Sequence, residues 1–188
     1  MRKIFEFILG LFLFLTAVAY VPGQNFEDTQ GMMFMAGVSI LYVISLFLKP
    51  IRFITNKWLN IILGVCLVET FLLMGDAQKI ATSSFIHLFM GVMLFYIIAN
   101  YVENMKPIVN ALCCVVMVNT VMVILQLTGN DPICLNDGGL KNTHAVGIFS
   151  LRYSFGCYMG IVAPFLLFSK RKVFGVLAVI LTLLSISS

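Results

Sequence analysis

Seven runs of 16 to 23 mostly apolar residues, divided by proline, glycine and charge, constrain this chain more than any other feature. They fall at about residues 4–21, 31–48, 58–74, 80–102, 107–127, 154–169 and 173–188. Pro22-Gly23, Lys49-Pro50, Gly75-Asp76, Lys106-Pro107 and the long Thr128–Tyr153 stretch break them apart. A helix needs roughly 20 such residues to cross a bilayer. Backbone amides in hydrocarbon must find partners inside their own segment, so the runs are expected to be helices. The alternating pattern of a barrel strand is absent.

Composition closes the argument. Of 188 residues, 61% are hydrophobic and 11% charged, against roughly 45–50% and about 25% in soluble domains. So few charges do not cover a water-soluble globule. The expectation is an all-α, polytopic integral membrane protein of about seven spans, one transmembrane domain over residues 1–188. Intrinsic disorder, a collagen-like rod, a coiled coil and a nucleic-acid-binding domain are excluded. No length is left for a soluble domain, so any chemistry belongs in or at the bilayer.

Charge placement gives an orientation. With the N-terminus in the cytoplasm, Arg2, Lys3, Lys49, Arg52, Lys57, Lys106, Lys170, Arg171 and Lys172 lie inside, and Lys79, Lys141 and Arg152 outside. Basic residues favour the cytoplasmic side, and a split of nine against three selects this topology. The loop at about 128–153 then faces outward. The first run is too long for the 7–15-residue core of a signal peptide, and Pro22-Gly23-Gln24-Asn25 lacks a small-x-small cleavage pattern, so it reads as an uncleaved helix. The last run stops at Ser188 without a flanking charge or aromatic anchor, and the chain is expected to be a fragment of a longer protein. Cys66, Cys113 and Cys114 lie inside apolar runs, and the five cysteines have no metal-ligand spacing. Cys134 and Cys157 can meet outside the membrane as a disulfide.

Ionisable groups within spans are costly and call for a role. Glu69 lies five residues before Met74, at the outer end of the third run, which is a depth of roughly 8 Å. His87 lies eight residues into the fourth run from the same face, a depth of roughly 11–12 Å. An acid and an imidazole at similar depth on adjacent antiparallel helices form a pair suited to handling protons or binding a ligand. The same pair equally serves as a hydrogen bond holding two helices together. Asn119, Gln126, Thr82, Ser83 and Ser84 share the outer half, which suggests a wet, outward cavity, although hydrogen bonding that packs helices together explains single members equally well. Glu6 is close enough to the cytoplasmic end to snorkel or to pair with Arg2 or Lys3, and no role is assigned to it.

The outer loop holds the remaining chemistry. A polar stretch rich in Gly, Asp and Asn runs through Lys141 and His144 to Arg152, and a helix is expected from near Ser154. A helix N-terminus presents unsatisfied amides and partial positive charge to an anion. The Arg152 guanidinium adds a bidentate fork suited to phosphate or carboxylate. A lipid pyrophosphate at the outer surface fits such a cluster. Snorkelling of Arg152 to the headgroups is the plainer account.

Several short phrases here are shared with a known family. Leu125-Gln126-Leu127-Thr128-Gly129 is followed by an outer loop, Gly147-Ile148-Phe149, Gly156, a later Pro164 and the closing Ser185-Ile186-Ser187-Ser188. In these features the chain resembles the O-antigen ligase and O-antigen polymerase superfamily of bacterial envelope-glycan enzymes, over about residues 119–188. It departs from the family in having Leu151-Arg152-Tyr153 in place of an Asn/Pro turn, and His144 where an Arg is usual. The resemblance implies a multi-pass protein of the bacterial inner membrane. It implies transfer or polymerisation of glycan from a polyprenyl-pyrophosphate carrier to an acceptor glycan or lipid, without cofactor or metal. Arg152, Lys141 and His144 would hold the pyrophosphate. Two other readings stand beside it: a secondary transporter or permease fragment using Glu69 and His87, and a non-enzymatic membrane accessory protein.

Overall fold

The apolar runs form helices, and the helices reach past the runs. The computed structural model describes residues 2–18, 26–48, 57–72, 75–130, 147, 149 and 152–187. Among these there are seven helices and no strand: α1 (Arg2–Val18), α2 (Phe26–Leu46), α3 (Lys57–Leu72), α4 (Asp76–Tyr101), α5 (Lys106–Leu127), α6 (Arg152–Phe168) and α7 (Lys172–Ser187). Each matches one apolar run. The largest departures are at the starts of α2 and α4, which lie five and four residues earlier than hydropathy places them. Both added turns carry acids, Glu27 and Asp28 in one and Asp76 in the other. Negative charge is favoured at the positive end of the helix dipole. Apolarity therefore marks the middle of these helices rather than their full extent.

Among the described residues, α5 is the one helix both long and apolar enough to cross a membrane, with a mean hydropathy of 2.5 over its best window. Shorter apolar helices lie within α2, α4, α6 and α7. Pro107 sits in the first turn of α5, where a missing N–H costs nothing. The helix stops in a Schellman motif. The Asn130 N–H donates to the Leu125 carbonyl at 2.8 Å and the Gly129 N–H to the Gln126 carbonyl at 3.0 Å. Gly129 takes the left-handed conformation this cap requires, at φ 76°. Gln126 is thereby fixed in the last turn.

Contacts along the chain fall into two units: residues 3–30 with 104–188, and residues 31–103. In the first, α5, α6 and α7 pack pairwise. Their shared core is built from Val115, Val116 and Val123 of α5, Phe155, Met159 and Leu166 of α6, and Ala178 and Leu181 of α7. The closest pair is α6 with α7. A Cβ on Gly156 of α6 would overlap Ser185 Oγ of α7, and one on Gly160 would lie 3.8 Å from Thr182 Cγ2. The Gly-xxx-Gly face thus receives α7 side chains, as small residues do at close helix crossings. Pro164 interrupts the α6 backbone ladder. In the second unit α3 packs on α4, and Val38 and Leu41 of α2 and Ile97 of α4 are buried.

Large apolar side chains remain exposed on every helix, among them Phe7, Ile40, Phe71, Phe95, Val121, Ile161 and Leu183. Ile161 is 75% exposed and Phe168 94%.

Candidate functional site

The site begins at the capped end of α5. Gln126 is 1% exposed, and its carboxamide is spent on the backbone of one residue 21 positions later. Gln126 Nε2 donates to the Gly147 carbonyl at 2.7 Å, and the Gly147 N–H donates to Gln126 Oε1 at 2.9 Å. The side chain acts as a one-residue mimic of a strand partner, satisfying a donor and an acceptor together. Gly147 holds φ 60°, which an L side chain adopts at a cost of roughly 1–2 kcal/mol. A Cβ there would also overlap Asn119 Oδ1 and come within 2.8 Å of Phe155 Cε2. Only glycine suits both the backbone and the space.

Asn119 lies two turns before Gln126 on the same face of α5, fully buried, its Nδ2 donating to the Val115 carbonyl at 2.9 Å. Phe149 continues the docking. Its ring centroid is 5.8 Å from that of Phe155 and 5.2 Å from that of Tyr158, both on α6. Spacings of this kind are favourable for aromatic pairs. The loop is therefore pinned at Gly147 by hydrogen bonds and at Phe149 by rings.

The sequence leaves Asn119 and Gln126 two roles, lining of a wet cavity or hydrogen bonds that hold packed elements. They are buried and engaged, and no buried side-chain nitrogen or oxygen among the described residues lacks a partner. Arg152 is the first residue of α6, two positions earlier than the helix start expected near Ser154. It stands five positions after Gly147, a reach of no more than about 18 Å. Lys141 and His144 lie outside the described residues, as does the Arg152 side chain. Cys157 is an exposed free thiol on α6, and Cys134 lies outside the described residues.

Glu69 stands on α3 with its side chain outside the described residues, and His87 stands on α4, half-buried. The two helices pack together. The His87 ring is held against α2, with Nε2 3.0 Å from the Cβ position of Gly31. Among the described residues no cluster of His, Cys, Asp or Glu is arranged to hold a metal.

Glu6, to which the sequence assigns no role, has one in the fold. It is 4% exposed rather than snorkelled to the surface, and its Oε1 accepts the backbone N–H of Asn104 at 3.1 Å. Asn104 Oδ1 accepts in turn from the Lys106 N–H at 3.1 Å, starting α5. The one signal in the sequence was a carboxylate at the sixth position of an apolar run.

No family model matches the chain, and neither do any of the curated proteins or solved structures compared with it.

Proposed function

We propose that the chain is a multi-pass protein of the bacterial inner membrane, N-terminus inside. In this reading it takes part in transferring or polymerising glycan from a polyprenyl-pyrophosphate carrier at the outer face, as in the O-antigen ligase and polymerase superfamily it resembles. Apolar side chains exposed on all seven helices support the membrane reading, because lipid rather than water is the solvent they suit.

The observation that carries the functional reading is the Gln126–Gly147 clamp. The two phrases that bear the resemblance, Leu125–Gly129 and Gly147–Phe149, are distant in sequence and joined in space. Their joining ties the outer loop to the end of α5 just ahead of Arg152 and the N-terminus of α6. A helix N-terminus and an arginine together suit an anion. In the proposed mechanism Arg152 binds the pyrophosphate through its two-pronged donor, and Lys141 and His144 add charge from the loop. The clamp fixes Gly147, five positions before Arg152, against the end of α5, and pre-positioning is what lets binding energy reach reacting atoms.

The test is Arg152→Ala in the producing cell. Polymer or ligated product is expected to be lost while the protein still inserts in the membrane, and Arg152→Lys to restore only part, since a point charge replaces the fork. Normal product from Arg152→Ala overturns the assignment.

A further inference from the structure

At the opposite end of α5 the first unit has a second site. A groove of about 380 Å³ runs between α1 and α5, within the range of small-ligand pockets. Its floor is apolar: Phe7, Leu11 and Phe14 from α1, Pro107 and Ala111 from α5. The helices cross closely at Gly10, whose Cβ position lies 3.0 Å from the Pro107 carbonyl oxygen. Polar groups gather at the α5 N-terminal end, where Asn104, Lys106 and Asn110 join the lining.

Two of these are uncommitted. Lys106 and Asn110 are exposed, and among the described residues neither the ammonium nor the carboxamide has a hydrogen-bond or ion-pair partner. The acids close by in the chain are occupied: Glu6 accepts the Asn104 amide, and Glu103 has a partner of its own. An amide on a lipid-facing surface one turn inside a span is costly unless something satisfies it. Lys106 belongs to the cytoplasmic set of basic residues, at the depth of headgroups.

We propose that this groove is a binding site for an anionic phospholipid of the cytoplasmic leaflet. One acyl chain lies along Phe7, Leu11 and Phe14, the ester region meets the Asn110 amide, and the phosphate meets Lys106 at the N-terminus of α5. Length supports the match: from Lys106 to Cys114, which lines the inner end, eight residues of helix rise about 12 Å, the upper part of a leaflet. The proposal rests on the membrane reading above and not on the glycan chemistry.

The experiment is native mass spectrometry of the full chain in detergent, titrated with phosphatidylglycerol or phosphatidylcholine carrying identical chains. One phosphatidylglycerol is expected to be retained, with a preference over phosphatidylcholine of about fivefold, the contribution of one basic residue facing anionic lipid. Lys106→Gln should abolish the preference, and Ala111→Phe should displace both lipids by filling the floor. Lys106 is exposed, so its variant stays informative even where the floor variant does not fold. Arg152→Ala should leave lipid retention unchanged, which separates this site from the outer one. Equal retention of the two lipids by the wild-type chain overturns the proposal. So does a preference that survives Lys106→Gln, or a lipid-free dimer in place of the lipid-bound monomer.

Discussion

Gln126 grips Gly147 through both halves of its carboxamide, and deleting that side chain would strand a backbone donor and an acceptor together. Each unsatisfied buried group costs about 1–3 kcal/mol, so Gln126→Leu, which keeps the bulk, is expected to destabilise the first unit by roughly 2–5 kcal/mol. Thermal unfolding of the detergent-solubilised protein measures this, and an unmoved midpoint would mean that water replaces the clamp. Gly147→Ala tests the same point from the loop side. It must give up a left-handed φ or push Asn119 and Phe155 aside. The ingredients were legible: Asn119 and Gln126 stood out as polar groups in an apolar helix, and Gly147 as part of a recurring phrase. The pairing of Gln126 with Gly147 was not legible, because a glutamine looks the same in sequence whether it faces water, another helix or a loop.

At the scale of elements, hydropathy located all seven helices, and their ends were set by other chemistry. α2 and α4 begin before their apolar runs, in turns that contain Glu27, Asp28 and Asp76, and Gly129 ends α5 with a left-handed cap. The Gly156/Gly160 pair was legible as a close-contact face, though a spacing of four cannot name the partner. The structure supplies it, α7, through Thr182 and Ser185. Ser185 is 4% exposed, with its Oγ donating to the Thr182 carbonyl at 2.7 Å. Gly156→Ala is therefore expected to cost about 1–3 kcal/mol by overpacking, and a second change, Ser185→Gly, to recover much of that cost. A double-mutant cycle reads the coupling directly. Additive effects would show that the two positions do not touch.

At the scale of the molecule, the proposed membrane reading carries an orientation with it, set by where the charges sit. An Asp137→Cys variant is expected to react with a membrane-impermeant maleimide in intact spheroplasts, and an Arg171→Cys variant only after permeabilisation, both in a background lacking the native cysteines. The reverse pattern would invert the topology and place the Gln126–Gly147 clamp on the cytoplasmic side. The sequence by itself determined the number and the positions of the helices found among the described residues. Those properties are local: a helix satisfies its own backbone hydrogen bonds, and its apolar length is counted along the chain. Only the tertiary structure decided which polar groups are partners. Glu6 meets an amide 98 residues away, Gln126 a glycine 21 residues away, and His87 the face of α2 at Gly31. Such pairings depend on which helices become neighbours, and many arrangements of the same seven helices satisfy the local terms equally well.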